Sequence, residues 1–186
     1  MLYRDESDLT GVLPWETSPV EPLLETRIFT VHQRRARSRQ SDKEGVFVYL
    51  DAPDWVNVVA VTPDDHIVMI EQYRHGLDRV TLEIPGGMVD PGESPLEAGI
   101  RELREETGYA GGEAELIGRI SPNPAIQTNW CHTVRVQGVA RVGTQQLEGN
   151  EEIAIVRVPL TQVRPLIQTG VIHHALVVAG LAHHLL

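Results

Sequence analysis

Gly87-Met88-Val89-Asp90-Pro91-Gly92-Glu93-Ser94-Pro95-Leu96-Glu97-Ala98-Gly99-Ile100-Arg101-Glu102-Leu103-Arg104-Glu105-Glu106-Thr107-Gly108-Tyr109 is the stretch on which the fold of this chain turns. Its second half predicts a helix with both ends marked. Ser94 is placed as the N-cap, Pro95 at the first helical position, and Glu97, three residues on, completes a capping box. Leu96, Ile100 and Leu103 recur at spacings of four and three and predict the buried stripe. Gly108 is placed to end the helix in a left-handed conformation. Gly99 is the odd element, because an interior glycine costs roughly 1 kcal/mol against alanine; close packing would account for it. Arg101 stands one turn from both Glu97 and Glu105. Glu102, Glu105 and Glu106, related by i,i+3 and i,i+4, share a face beside the stripe. Carboxylates so placed repel one another unless a cation compensates. Hard divalent cations such as Mg²⁺ take oxygen ligands and commonly act on phosphates. The stretch reads as a metal site for phosphate chemistry.

Spacing makes the reading specific. Gly87, Glu93, Arg101, Glu102, Leu103, Glu105, Glu106 and Gly108 all fall where the Nudix box has the same residues or residue types, and this segment resembles that signature of the Nudix hydrolases. Tyr109 departs from it, an aromatic where an aliphatic residue is usual. The resemblance implies an α/β/α sandwich around a mixed sheet, with the box as a loop–helix–loop. It also implies hydrolysis of a diphosphate with Mg²⁺, for which Mn²⁺ is a possible substitute. Glu102 and Glu106 are then the favoured direct ligands, with Glu105 as bridge or water holder. The carbonyl of Gly86 is the position that supplies a further ligand in the relatives, and Glu93 supports the loop through hydrogen bonds.

The rest of the chain is compatible with such an enzyme. At 186 residues it is long enough for one full core. A net charge of −10 argues against a general nucleic acid or anionic membrane surface, though not against a small anion held by metal and a few arginines. Cys131 is the single cysteine, which excludes an internal disulfide and suits a reducing cytosol. Met1 to Asp8 lacks the pattern of a secretory signal, and Val171 to Leu186 is too short and too rich in histidine to span a membrane. The expected location is cytoplasmic.

Residues 1 to 25, with Pro14, Pro19 and Pro22, read as an irregular arm. Strands are predicted at Thr26 to Arg35, Gly45 to Leu50, Trp55 to Thr62, Ile67 to Tyr73, Val80 to Ile84, Glu115 to Ile120, His132 to Val142 and Ile153 to Val158. Helices are predicted at Thr161 to Thr169 and His173 to Leu185. The resulting fold class is α/β with an N-terminal β extension. Residues 55 to 186 would form the catalytic domain, and residues 1 to 54 the extension that builds a homodimer in ADP-ribose-type relatives.

Substrate class is read outside the box. Glu71-Gln72-Tyr73-Arg74 and Glu83-Ile84-Pro85-Gly86-Gly87 resemble the stretches before the box in ADP-ribose pyrophosphatases; Pro122-Asn123-Pro124 and Asn150-Glu151-Glu152-Ile153 resemble their downstream markers. A nucleoside diphosphate sugar is the implied substrate, with ADP-ribose favoured over GDP-mannose, NADH or diadenosine polyphosphates. A sensor that binds ADP-ribose without cutting it is the alternative from another class. Arg74 is the candidate for the diphosphate; an ion pair with a carboxylate at the sheet end is the competing use. Trp55, Phe47 or Trp130 would offer adenine a flat surface, with Trp55 preferred, and Glu83 and Gln127 are candidates for the ribose hydroxyls. The base is sought in Glu148-Gly149-Asn150-Glu151-Glu152: Gly149 stands where a carboxylate is expected, leaving Glu151 first and Glu152 or Glu148 as substitutes.

Two further features are read as structural. The run Arg34, Arg35, Arg37 and Arg39 suits a solvated strand and loop. His174 and His183 lie nine residues apart, about 2.5 helical turns, so the two His-His pairs do not share a face and suit surface or dimer contacts.

Overall fold

The computed structural model describes residues 11–147 and 149–186. The chain divides into two compact units: one runs up to Ala52 and includes Asn123–Thr128, and the other comprises Pro53–Pro122 and Asn129–Leu186.

In the first unit β1 (Glu16–Thr17) and β2 (Glu21–Glu25) follow one another along one edge of β3 (Thr30–Arg37), and β4 (Glu44–Asp51) covers the other edge. The segment read as an irregular arm therefore contributes strands. Its prolines hid them: the β2–β3 register shifts between Pro22 and Leu24, a local irregularity of the kind that tolerates proline at a sheet edge. Strand β3 starts later than the sequence suggests, because Thr26 and Phe29 close a turn through Thr26 N–H to Phe29 O at 3.0 Å. Among the described residues of this unit only Ala36 is buried. Leu24, Val46, Phe47 and Val48 are exposed, so the sheet has almost no core of its own.

The second unit is built on a mixed sheet in the order β10-β11-β5-β6-β13, with β7 added to β6 and β8 to β5. The strands are β5 (Trp55–Val61), β6 (His66–Arg74), β7 (Arg79–Glu83), β8 (Gly86–Met88), β10 (Glu113–Ile120), β11 (Cys131–Gln137) and β13 (Ile153–Pro159). Pairing of β5 with β11 is parallel and the other pairs are antiparallel. A short ribbon joins β9 (Tyr109–Ala110) to β12 (Ala140–Arg141). The predicted strand from His132 to Val142 thus breaks at Gly138, whose φ of 85° turns the chain.

Strand alternation divides the core. Val56, Val58 and Ala60 of β5 face α1 (Pro95–Thr107) with Ala98, Leu103 and Val134. Val59 and Val61 face the opposite layer, α2 (Leu160–Gln168) and α3 (Ala175–Leu185), with Val163, Val177 and Leu181. The α/β/α sandwich is therefore present.

One detail of α1 differs from its periodicity. Ile100 is 44% exposed, whereas Ala98, Gly99, Leu103 and Glu106 are buried. A Cβ at Gly99 would lie 3.0 Å from Val134 Cγ2 and 3.3 Å from Val56 Cγ2. The helix sits on the sheet through its glycine, and that close seat moves the buried line to residues 99, 103 and 106.

Candidate active site

The caps of α1 form as the sequence dictates. Ser94 N–H donates to Glu97 Oε2 at 2.9 Å, Glu97 N–H donates to Ser94 Oγ, and Gly108 at φ 70° closes the other end. A helix with fixed ends holds its glutamates at fixed places against β8.

Glu106 is 4% exposed, and one of its carboxylate oxygens accepts the Gly86 N–H at 2.9 Å. Burial, reinforced by the charges of Glu102 and Glu151, pushes its carboxyl up to about 8, against the opposing Gly86 hydrogen bond and Arg74. Glu102 lies against Gly87, where an added Cβ would stand 2.3 Å from Glu102 Oε1. At Gly86 a Cβ would stand 2.2 Å from the Val56 carbonyl oxygen. Gly86 is thus required by close approach to backbone, whereas a side chain at Gly87 would displace the Glu102 carboxylate. Burial also pushes the Glu102 carboxyl up, and Arg101 opposes it.

Arg101 gathers the remaining acids. Its guanidinium donates to Glu93 at 3.0 and 2.9 Å, to Glu102 at 2.9 Å, to Glu105 at 3.1 Å and to the Met88 carbonyl at 3.1 Å. Of the two partners one turn away it takes Glu105, because Glu97 is held by the cap. The eight-residue reach to Glu93 was not visible in helical spacing. Glu93, held below the usual carboxylate range by Arg101, also accepts the Asp90 N–H at 3.3 Å, as expected of a loop support.

Arg74 and Glu83 form a two-pronged pair at 2.8 and 2.7 Å, and Thr81 Oγ1 donates to the same carboxylate. Glu83 is 2% exposed, so its oxygens are spent on holding Arg74, whose own side chain is 42% exposed. Burial raises the Glu83 carboxyl, but the Arg74 and Thr81 hydrogen bonds outweigh it and leave it below its usual range. The sign is that of a depressed acid: its stabilisation is complete above the unfolded carboxylate pKa and disappears as pH falls through the folded one. Glu83→Ala should lower stability by about 2 kcal/mol, less than for a fully buried pair because Arg74 can rehydrate. In urea unfolding, the gap from wild type should close as pH falls below about 4.

The charge of Glu151 acts on Arg74, Glu102 and Glu106, which places the acidic loop within electrostatic reach of the glutamates. Glu152 is exposed. Glu148 lies outside the described residues. Trp55 adjoins Val56, which meets α1, while Asn57 donates to the Leu176 carbonyl of α3 at 2.9 Å. Alternation therefore sends Trp55 to the α3 face, opposite the glutamates. Gln127 belongs to the first unit, as does Phe47, which meets Trp15 edge-on at 5.5 Å. Trp130 lies beneath Arg119 at 4.4 Å.

Of the paired histidines, His174, His183 and His184 are drawn into packing, while His173 is exposed as a surface reading expects. His183 Nδ1 is 2.9 Å from Thr133 Oγ1, and its ring fills the space left by Gly118. His174 and His184 are pushed below the usual imidazole value by burial. A strut was missed as well: Asp54 accepts the Trp130 N–H and pairs with His132 Nε2, both at 2.9 Å, while its carbonyl takes the Val89 N–H. Its partners lie 76 and 78 residues away, beyond any local signal.

Residues 51–180 match the NUDIX domain family. The chain belongs to the Nudix family. The "ADP compounds hydrolase NudE" of Escherichia coli is 30% identical over 162 residues, 80% of each chain. An "ADP-ribose pyrophosphatase" of Bacillus subtilis is 29% identical over 124 residues, 66% of this chain and 67% of that one. The chain spans about half the length of another relative, a "Methanol dehydrogenase activator" of Bacillus methanolicus, at 36% identity over 89 residues. Among solved structures, an "ADP compounds hydrolase" superposes with a TM-score of 0.80 at 26% identity and covers 94% of both chains.

The Nudix glutamates fit a hard divalent cation by their chemistry. As the side chains stand, no group of three or more His, Cys, Asp or Glu residues among those described is drawn together around an ion position. Arg101 takes up Glu102 and Glu105 instead. Yet Glu106 is a buried carboxyl whose charged form is opposed by burial and by Glu102 and Glu151. Its carboxylate neighbours Glu102 and Glu151 are oxygen donors, the kind that suit Mg²⁺ or Mn²⁺. Glu102 and Glu106, with the Gly86 carbonyl, would hold such an ion.

Proposed function

We propose that this protein is a Mg²⁺-dependent pyrophosphohydrolase that cleaves the diphosphate of ADP-ribose or a related nucleoside diphosphate sugar, releasing a nucleoside monophosphate and a sugar phosphate. The observation that carries the reading is the buried Glu106 carboxyl, set against Gly86 and beside the charges of Glu102 and Glu151. Bound Mg²⁺, or Mn²⁺ in its place, would share the diphosphate charge and lower the pKa of the attacking water.

The chain's own groups have separable tasks. Arg74, locked by Glu83, presents a guanidinium with its exposed side toward an anion; the lock means little rotamer freedom is lost on binding. Glu151 is the general base, taking a proton from water, with Glu152 the substitute. Glu105, which shares Arg101 with Glu102, serves as bridge or water holder. The names of the Escherichia coli and Bacillus subtilis relatives support an ADP-containing substrate.

Homodimerisation is part of the proposal. A sheet with Leu24, Val46, Phe47 and Val48 exposed and only Ala36 buried has apolar surface to cover, and a second copy would cover it. The proposed location is cytoplasmic, supported by the lone buried thiol of Cys131. Among the described residues no helix is long and apolar enough to cross a membrane.

The test is hydrolysis with Mg²⁺ and with Mn²⁺ over ADP-ribose, GDP-mannose, NADH and diadenosine polyphosphates. The highest kcat/KM is expected on ADP-ribose, with AMP released. Tight ADP-ribose binding without turnover would sink the hydrolase reading.

A further inference from the structure

The end of α1 is closed by a segment that also leads into the acidic loop. An α-helix leaves its last carbonyls without intrahelical partners. Here Arg104 O accepts the Gly108 N–H at 2.8 Å, Glu105 O accepts the Gln146 N–H at 2.8 Å, and Glu106 O accepts the Gln145 side-chain amide at 2.7 Å. Gly108 O takes Val142 N–H at 2.8 Å and Gly143 N–H at 3.2 Å. The same Gln145 Nε2 donates at 3.0 Å to Ile153 O, the first residue of β13. An amide nitrogen carries two hydrogens, and both are used.

We infer that Gln145 is a positioning residue: its amide ties the backbone of Glu106 to the strand that begins two residues after Glu151, fixing the base relative to the metal-side glutamates. The inference rests on the proposed roles of Glu106 and Glu151. Leucine fills similar space without a donor, glutamate would set carboxylate oxygens against two carbonyls, and asparagine is one methylene too short to reach both acceptors.

The mechanism follows from the length of the connection. Residues 145 and 153 are the two flanks of the loop that carries Glu151, and Gly149 at φ 56° sets a bend within it. With both flanks pinned, the loop has few ways to displace Glu151. Loss of the bridge removes the direct link between the two flanks, leaving Gln146 N–H to Glu105 O on one and the Ile153–Gln72 pairing of β13 with β6 on the other. A misplacement of about 1 Å between reacting groups costs on the order of 100-fold in rate.

The experiment compares Gln145→Leu in the wild-type and Glu151→Gln backgrounds. On ADP-ribose with saturating Mg²⁺, Q145L should lower kcat by about 10- to 100-fold and leave KM within about twofold. In the E151Q background the same change should alter kcat by less than about twofold, because the group being positioned is already gone. Amide exchange in the peptide 146–153 should quicken in Q145L, while the core strands keep their protection. Equal losses of kcat in both backgrounds, or unchanged exchange in that peptide, would overturn the inference. If Q145L does not fold, Gln145→Asn replaces it with the same expected split. If wild type hydrolyses nothing, the proposed function fails, and hydrogen exchange alone still decides whether Gln145 pins the loop.

Discussion

Replacing Glu106 by glutamine is expected to lower ADP-ribose turnover about a thousandfold while leaving the protein folded. The two halves of that expectation have different origins. Turnover falls, on the proposed metal role, because an amide supplies neither the charge nor the second carboxylate oxygen available to a divalent cation there. The fold survives because an amide oxygen can still accept the Gly86 N–H, and because the buried charge itself is unfavourable. A sign test separates these effects in metal-free protein. Glu106 has a folded pKa of about 8, above the ordinary value for glutamate, so its contribution to stability is complete below the unfolded pKa and is lost as pH rises toward 8. With metal chelated, the wild-type melting temperature should therefore drift down between about pH 5 and 8 relative to that of E106Q. Added Mg²⁺ should raise the melting temperature of wild type and not of the variant. Wild-type turnover in E106Q at saturating Mg²⁺ would remove Glu106 from the metal site.

What could be read from the chain depended on the distance over which each signal acts. The cap of α1 spans Ser94 to Glu97, and its end at Gly108 is set by one residue, so both were legible. The box spacing was legible for the same reason. The stripe was legible at Leu96 and Leu103 but not at Ile100, because periodicity counts apolar side chains while α1 is seated through Gly99, which has none; Ile100 is turned to solvent as a result. β1 and β2 were concealed by Pro19 and Pro22, which argue against strands everywhere except at edges and irregular registers. The use of Glu83 depended on its fold partner. Nine residues separate it from Arg74, and the β6–β7 hairpin brings the two together in a geometry that consumes both carboxylate oxygens. A ribose contact from that side chain would require breaking the pair. Trp55 presents a subtler limit: alternation along β5 was visible, but which face would receive the catalytic helix was not. The Asp54–His132 strut and the Gln145 bridge are tertiary, and composition or spacing gave no sign of either.

Arg101→Ala is expected to lower kcat about 100-fold and to destabilise the fold by about 3 kcal/mol, and Arg101→Lys to recover only part of each loss. Arg101 is 29% exposed, and its guanidinium joins Glu93 from the loop, Glu102 and Glu105 from the helix and the Met88 carbonyl from β8. Its own charge is held well above the usual arginine pKa by these acids. Removing it leaves three carboxylates without their shared cation, and Glu102, whose carboxyl burial already pushes up, loses the group that opposes the rise. The loop that begins the box is then tied to the helix mainly through the cap. Lysine restores the charge but cannot form two parallel bonds to Glu93 while reaching three other acceptors, because an ammonium carries three donors and no planar fork. If Arg101 acts only as a structural tie, the loss should appear in urea unfolding and leave kcat of the folded fraction within about twofold. If it also orients Glu102 and Glu105, which it contacts, for the proposed metal, the Mg²⁺ concentration for half-maximal activity should rise about tenfold in R101A. A ratio of Mg²⁺ half-saturation near one between wild type and R101A, with kcat intact, would confine Arg101 to the scaffold.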